Sequence, residues 1–188
     1  HTLAWHMITA DKNLQLSTQN ALAELITSLN SKGGRATGGA AVAIDIKTGE
    51  VLLAANYPTF DVNEYFSKYN ELASNYYKPL TNRSFAGIYP PGSSIKPIIS
   101  IASLQNGQLT ADERITCTKV YRFYENVGFT PSCMGRHGSI NVVTALSRSC
   151  NYFFYELGRR LGIDTVNSYL KQFGLGEKTG VEIYESAG

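Results

Sequence analysis

The sequence predicts an α+β fold in which one helix and one β-hairpin precede a mostly helical remainder. Apolar residues between Asn13 and Leu29 recur at intervals of three and four, which indicates an amphipathic helix. Two apolar segments, 39–46 and 51–55, flank a short turn that contains Gly49. This arrangement is typical of an antiparallel hairpin. The second half of the chain shows helical spacing, and no internal repeat is present.

Four further helices are expected in that second half. Their predicted bounds are Ser93–Gln105, a helix capped by Ser139 that runs to Arg148, Tyr152–Leu161, and a helix capped by Asp164 that ends at Phe173. The segments 56–84 and 116–134 have no clean period. We therefore predict loops there, the first with one short helix.

Length and composition limit the classes of protein. With 188 residues, of which 43% are hydrophobic and 17% charged, the chain has the size and make-up of one globular domain. Seventeen basic and 15 acidic residues give a net charge of +2, without a basic stripe. We therefore expect no nucleic-acid partner. The longest apolar runs, such as 40–44, are far too short to span a bilayer.

Cysteines and histidines are few and irregularly spaced. They are Cys117, Cys133 and Cys150, and His1, His6 and His137. No two cysteines have the C-x-x-C spacing, and the histidines form no metal-binding motif. The sequence therefore predicts neither a metal nor a cofactor. A disulfide between Cys117 and Cys133 stays open, because sequence alone cannot establish one. Residues 1–7 fit poorly with the rest of the chain and are expected to be a remnant of cloning.

The first chemical motif lies within Pro90–Pro97. A Pro-Pro-Gly turn leads into an apolar helix, and Ser93 and Lys96 are three residues apart, on one helix face. A serine hydroxyl becomes a strong nucleophile when a base takes its proton, and burial lowers the pKa of a lysine so that it can serve. Pro97 has no N–H, which places Ser93 in the loosely bonded first turn. The alternative is an ordinary helix N-terminus with a lysine that reaches the solvent.

The second motif is Ser149-Cys150-Asn151. Residues i and i+2 of a continuous helix point apart, so Ser149 and Asn151 can serve one site only from a break between two helices. The predicted helices leave such a break at this point. A hydroxyl there can pass on a proton, and an amide can hold both a lysine and a substrate carbonyl. The alternative is a capping asparagine with a serine beside it.

In order and spacing, these motifs resemble those of the class B, high-molecular-weight penicillin-binding proteins. The likeness extends over about Asp11–Gly188 and is carried by segments 39–50, 82–83, 89–97, 137–138 and 149–154. It implies a transpeptidase fold of the penicillin-binding and serine β-lactamase type, without a cofactor. It also implies that Ser93 is the acylated nucleophile and Lys96 its base. Ser149 and Asn151 would then be the proton relay and the group that holds the substrate.

The third motif of this family is K-T-G. Lys178-Thr179-Gly180 has the same three residue types, but its sequence context differs from that of the family. Val181 follows where the family usually has Ser or Thr, and the triplet resembles a loop after the last helix. We therefore expect it to have no catalytic part, and residues 8–188 to be the N-terminal portion of a transpeptidase domain. Such a portion would leave a sheet edge unpaired, so we expect that the chain alone exposes apolar surface, oligomerises, or is completed by a second polypeptide.

The resemblance implies a peptidoglycan D,D-transpeptidase, which cross-links stem peptides through an acyl-serine and is a target of β-lactam antibiotics. Cell-wall cross-linking takes place on the outer face of the bacterial cell membrane, so the parent protein is expected there. Two alternatives stay open. One is a non-catalytic module that binds penicillin or peptidoglycan, and the other is a β-lactam sensor or serine β-lactamase.

Overall fold

The structure is a computed structural model that describes residues 10–188. The predicted cloning remnant, residues 1–7, lies outside the described part. The chain divides into two compact units. The first comprises residues up to 89 together with 178–188, and the second comprises residues 90–177.

The first unit is built on one helix and one hairpin, as the sequence predicts. Helix α1 spans Lys12–Ser31, and strands β1 (Gly39–Ile44) and β2 (Val51–Tyr57) pair antiparallel. The side chain of Asp11 accepts a hydrogen bond from the N–H of Leu14 at 2.8 Å, which caps the helix. One face of β2 and one residue of α1 form the small buried core of this unit, namely Ile26, Val51, Leu53 and Ala55.

The segment after β2 contains more structure than its sequence predicts. It forms a 3₁₀ turn at Val62–Glu64, helix α2 at Tyr69–Ser74 and helix α3 at Arg83–Ala86. Ser84 fixes α3 to β2, because its hydroxyl donates to the carbonyl of Ala55 at 3.1 Å and its N–H donates to the Asn56 side chain at 2.9 Å. Helix α2 is the one short helix predicted within 56–84, whereas the 3₁₀ turn and α3 were not predicted because they are too short to show a period.

The second unit is mostly helical. Its elements are a 3₁₀ turn at Gly92–Ile95, α4 (Lys96–Gln105), β3 (Ile115–Cys117), a 3₁₀ turn at Glu125–Val127, β4 (Gly138–Ile140), α5 (Val142–Ser147), α6 (Asn151–Leu161) and α7 (Ile163–Gln172). Strands β3 and β4 form a small antiparallel pair. Ala102, Ala145, Phe153 and Leu157 are fully buried where α4, α5 and α6 meet. The packing of α6 on α4 thus forms the frame on which the candidate site is built.

Two predicted helix caps were wrong. Ser139 lies in β4, opposite Thr116, and the cap of α5 is Asn141, whose side chain accepts from the N–H of Thr144 at 3.1 Å. Helix α7 begins after Gly162, which has a φ of 73°, so Asp164 lies inside its first turn. In both cases a residue next to the true start of the helix, Asn141 or Gly162, takes the capping position instead.

Helix α4 is buried on one side only. Ile99 and Ala102 are buried, and so are Ser100 and Ser103. Each of these serines donates its hydroxyl hydrogen to the carbonyl four residues earlier, which satisfies a polar group in the core. Ile101 and Leu104, on the other side, are 38% and 40% exposed although they are apolar. Within residues 10–188, no helix combines the length and apolar character needed to cross a membrane.

Candidate active site

Ser93 lies on the 3₁₀ turn that precedes α4. Gly92 adopts a φ of 58°, a conformation that glycine accepts without strain. The N–H of Lys96 donates to the carbonyl of Ser93, which joins the turn to the helix. The side chain of Ser93 is exposed, whereas the neighbouring Ser94 donates its hydroxyl hydrogen to the carbonyl of Pro91 at 2.6 Å. Of these two adjacent serines, Ser93 is therefore the one with a hydroxyl available to the site.

Ser149 occupies the break between α5 and α6. Its N–H donates to the carbonyl of Leu146, and the N–H of Cys150 donates to the carbonyl of Ala145. These two bonds form a Schellman motif, in which the residue that follows the C-cap adopts the left-handed conformation. That residue is usually glycine, but here it is Ser149, with a φ of 49°. The predicted break is confirmed, and Ser149 holds its position there at a cost in backbone strain.

Lys96 lies at the centre of the hydrogen bonds in this site. Its Nζ donates to the carbonyl of Ser149 at 2.8 Å, to the hydroxyl of Ser149 at 2.9 Å and to Oδ1 of Asn151 at 2.6 Å. The two motifs, which are more than fifty residues apart in sequence, therefore meet at one amine. Three acceptors match the three N–H donors of an ammonium group.

The surroundings of Lys96 disfavour its charge. The residue is 8% exposed, and burial lowers its pKa below the ordinary 10.5. The ring of Phe154 lies 5.4 Å from Nζ and closes one side of the amine. A lysine with a lowered pKa loses its proton more readily, which is the property that a general base requires.

A chain of two hydroxyls connects Lys96 to Ser93. The Oγ of Ser149 lies 2.9 Å from the Oγ of Ser93 and 2.9 Å from Nζ of Lys96. Ser149 therefore stands between the hydroxyl of Ser93 and the amine of Lys96. Because a hydroxyl both donates and accepts, this geometry can carry a proton from Ser93 to Lys96 through Ser149. All four predicted site residues, Ser93, Lys96, Ser149 and Asn151, lie together.

A cavity of about 730 Å³ opens beside these groups. Ser93, Lys96 and Asn151 line one part of it. Its other walls are mainly apolar and aromatic and include Tyr121, Tyr124, Phe129, Pro131 and Tyr155. A cavity with mostly apolar walls and a few converging polar groups is typical of a site for a small molecule or peptide.

Sequence reasoning missed a charged network at the edge of this cavity. Glu156 accepts hydrogen bonds from the hydroxyl of Tyr121 at 2.6 Å, from Arg159 at 2.7 and 2.9 Å and from Arg160 at 2.9 Å. The bonds from Arg159, followed by those from Tyr121 and Arg160, lower the pKa of Glu156 to about 2 despite its burial. Tyr121 and Arg159 both line the cavity, so their hydrogen bonds to Glu156 hold two of the lining side chains in place.

Sequence reasoning also missed a cluster of sulfur and imidazole groups directly behind the Ser149 turn. The three cysteines and His137 have ligand atoms that all lie within 4.8 Å of one another. Cys133 Sγ lies 3.6 Å from Nδ1 of His137 and 3.9 Å from Sγ of Cys150. The three cysteines are buried free thiols, so the structure lacks the Cys117–Cys133 disulfide that the sequence left open.

The donor set of this cluster fits zinc. A tetrahedral ion with Zn–S bonds of about 2.3 Å places two sulfur ligands about 3.8 Å apart, close to the separation of Cys133 and Cys150. Three thiols and one imidazole are a common ligand set for structural zinc. Sequence reasoning did not recognise this set of ligand-type side chains. The reason is that β3, β4 and the start of α6 bring together residues that have no recognisable spacing in the sequence.

The K-T-G triplet lies in irregular backbone in the first unit, after the last helix. Thr179 donates to Glu185 through its N–H at 2.9 Å and through its hydroxyl at 2.7 Å, and the N–H of Gly180 donates to the same carboxylate at 2.8 Å. These hydrogen-bonding groups are therefore occupied by Glu185. That the triplet has no catalytic part stays a prediction.

Comparison with known proteins identifies the family. Residues 39–188 match the family model for the penicillin-binding protein transpeptidase domain. Curated relatives include the peptidoglycan D,D-transpeptidase MrdA of Acinetobacter baumannii, 34% identical over 93% of this chain and 26% of its own length. MrdA of Escherichia coli is 30% identical over 95% of this chain and 27% of its own length. The chain thus spans about a quarter of the length of these relatives.

Solved structures agree with this result. The crystal structure of Pseudomonas aeruginosa PBP2 in complex with WCK 5153 matches with a TM-score of 0.80 and 33% identity, over 96% of this chain and 40% of that one. A PBP2 from Helicobacter pylori matches with a TM-score of 0.79 and 28% identity, over 95% and 33%. The chain belongs to the penicillin-binding protein transpeptidase family. The predicted family and the predicted α+β transpeptidase fold are confirmed.

Proposed function

We propose that this chain contains part of the catalytic centre of a peptidoglycan D,D-transpeptidase. The observation that carries the proposal is the chain of contacts from Ser93 through Ser149 to Lys96. It links an exposed hydroxyl to a buried amine beside a cavity large enough for a peptide terminus. The names of the curated relatives support the same reaction.

In the proposed reaction, Ser93 attacks the carbonyl carbon of the penultimate D-Ala of a stem peptide. Its proton passes to Ser149, and the proton of Ser149 passes to Lys96, which must be neutral at that moment. For this transfer the Ser149 hydroxyl rotates, so that it accepts from Ser93 and donates to Lys96. The terminal D-Ala then leaves with a proton returned from Lys96, and an acyl-serine remains.

An amine of a second stem peptide completes the reaction. It attacks the acyl-serine, gives up one proton through the same relay, and forms the cross-link while Ser93 regains its hydroxyl. Asn151 holds Lys96 through Oδ1, and its NH₂ group can donate to a substrate carbonyl. A β-lactam would acylate Ser93 by the first step. We place this chemistry on the outer face of the bacterial cell membrane, where peptidoglycan is, and propose that a second polypeptide completes the domain.

Intact-mass measurement after incubation with a β-lactam tests the assignment. The wild-type protein should gain the mass of one drug molecule, and Ser93→Ala should gain none. Ser94→Ala is the matched control, because the neighbouring hydroxyl is bonded to Pro91, and it should acquire the adduct as the wild type does. An adduct that persists in Ser93→Ala would overturn the assignment. Tight binding without an adduct would favour the non-catalytic binding module.

A further inference from the structure

Arg159 is a charged side chain that lines the cavity and takes no part in the proposed reaction. It lies on α6, eight residues after Asn151. An α-helix rises about 1.5 Å per residue, so Arg159 lies about 12 Å further along the helix axis than Asn151. Between these two positions, α6 lines the cavity with Phe154, Tyr155 and Gly158. The cavity therefore extends along one face of α6, from the proposed catalytic groups to a guanidinium group.

Two contacts hold the guanidinium group of Arg159 in place. Its Nε and Nη2 donate to the two carboxylate oxygens of Glu156 at 2.9 and 2.7 Å. Its Cζ lies 4.3 Å from the centre of the Phe123 ring. A cation over an aromatic face is stabilised by the electron density of the ring. Arg159 is therefore fixed along one edge and on one face before any ligand binds.

A second edge of the same guanidinium group is open. The group has five N–H donors, and Glu156 accepts two of them. Within residues 10–188, Nη1 of Arg159 donates no hydrogen bond. One N–H of Nη1 and one of Nη2 form a planar pair that matches the two oxygens of a carboxylate. The side chain of Arg159 is 30% exposed, so a ligand can reach this pair.

The charges around the cavity do not oppose an anion. In the part of the chain that the structure describes, the cavity is lined by the cations Lys96 and Arg159 and by no acidic side chain. Glu156 is shared, because it also accepts a hydrogen bond from Arg160, which in turn pairs with Glu113 at 2.7 Å. The two arginines and the two glutamates thus balance in charge. The feature that selects a ligand is therefore the open edge of Arg159.

We propose that Arg159 binds a side-chain carboxylate of the peptide whose carbonyl carbon Ser93 attacks. The inference rests on the proposed function for the position of that peptide. An extended peptide advances about 3.3 Å per residue, so the third residue before the cleaved bond, with the reach of its side chain, spans the distance to Arg159. The terminal carboxylate lies next to the cleaved bond and is too close to Ser93 to serve. Arg159 is thus a specificity-determining residue that favours an acidic donor peptide.

Titration of Ser93→Ala, followed by nuclear magnetic resonance, tests this subsite without turnover. Three peptides that end in D-Ala-D-Ala are the probes. One carries Glu as the third residue before the cleaved bond, one carries Gln there, and one carries its Glu directly before the D-Ala pair. The first peptide should have a Kd about tenfold lower than the other two and should shift the side-chain resonance of Arg159. The third peptide has the same charge as the first, so it separates position from general electrostatic attraction.

Variants in the same Ser93→Ala protein assign the effect to one side chain. Arg159→Gln should bind the three peptides equally. Arg159→Lys keeps the charge but lacks the planar pair of donors, so a preference of only about twofold should remain. Arg122→Gln is the matched control, because Arg122 is exposed, pairs with Glu125 and does not line the cavity. It should keep the full preference.

Equal Kd values of the Ser93→Ala protein for the Glu and Gln peptides would overturn the proposal, and so would the absence of binding. This comparison needs no change at Arg159, so it decides the question even if the Arg159 variants do not fold. A chain that acquires a β-lactam adduct but binds the probes equally would contradict the inference alone. A chain that prefers the first peptide through Arg159 but never acquires an adduct would contradict the proposed function and leave the subsite standing.

Discussion

Lys96 and Ser149 are joined by two hydrogen bonds, because the amine donates both to the carbonyl oxygen of Ser149 at 2.8 Å and to its hydroxyl at 2.9 Å. The backbone contact fixes the distance between the two residues, and the side-chain contact is the one that can carry a proton. A substitution that removes the hydroxyl leaves the carbonyl contact in place. Chemistry and position can therefore be separated experimentally at this pair.

The first prediction concerns Lys96 as the base. Arginine keeps the positive charge but does not lose its proton in the accessible pH range, so Lys96→Arg should lower the rate of acylation by about 10²–10⁴-fold. In the wild type the rate should rise with pH as Lys96 loses its proton. The midpoint should lie below 10.5, because burial lowers this pKa. Rates of labelling by a fluorescent penicillin check both points, and a flat pH profile would contradict them.

The second prediction concerns the strain at Ser149. Ser149→Ala and Ser149→Gly both remove the relay hydroxyl, so both should lose acylation. Only glycine tolerates the left-handed φ of 49° without cost, so Ser149→Gly should be more stable than Ser149→Ala by about 1 kcal/mol. Urea unfolding of the two variants measures the difference. Equal stabilities would show that the turn carries no strain.

The third prediction concerns Glu156 and pH. Its pKa is about 2 in the folded chain against an ordinary 4.5, so its charge stabilises the fold above pH 4.5, and this contribution is lost as pH falls from 4.5 towards 2. Solvent near the arginines screens part of this interaction. We therefore expect Glu156→Gln to reduce the free energy of unfolding by about 2 kcal/mol at neutral pH. The difference from wild type should shrink in acid.

A matched control for Glu156 lies on the surface. Glu125 pairs with Arg122, and both side chains are more than half exposed. Glu125→Gln should change the free energy of unfolding at neutral pH by no more than about 0.5 kcal/mol. Chemical denaturation of both variants across this pH range makes the comparison. A gap between wild type and Glu156→Gln that does not depend on pH would contradict the assigned role of the carboxylate.

The fourth prediction concerns the start of α5. Asn141 caps this helix, so Asn141→Ala should cost about 1 kcal/mol of stability. Ser139 is exposed in β4 and accepts a hydrogen bond from Arg114. Ser139→Ala should therefore cost only about 0.3 kcal/mol of stability. Thermal unfolding of the two alanine variants decides between the two caps. A larger loss in Ser139→Ala would favour the cap that the sequence suggested.

Local patterns explain why much of the fold could be predicted from the sequence, and together with the resemblance to the penicillin-binding proteins they led to the four predicted site residues. The three-residue spacing of Ser93 and Lys96 needs only one turn of backbone, and the break at Ser149 follows from the two helical segments on either side. Such features depend on residues close together in the chain. The hairpin, whose turn contains Gly49, was predictable for the same reason.

Features that depend on distant residues could not be predicted in this way. Strands β3 and β4 have three residues each, too few for alternation to appear, and together they bring Cys117 near Cys133. In the sequence, Glu156 is one charged residue on an amphipathic helix. Its hydrogen-bond partner Tyr121 lies 35 residues away in the chain. Pairings of this kind are set by packing and leave no periodic signal in the sequence.

The conformation of Ser149 also limits which amino acids evolution can place there. Proton transfer requires a hydroxyl, which serine and threonine provide and glycine and asparagine do not. The left-handed backbone accepts glycine and asparagine readily but opposes the branched Cβ of threonine. Serine is the small hydroxyl residue that meets both demands. If the proposed function is correct, descendants of this sequence that resist β-lactams should therefore change the walls of the cavity before they change this position.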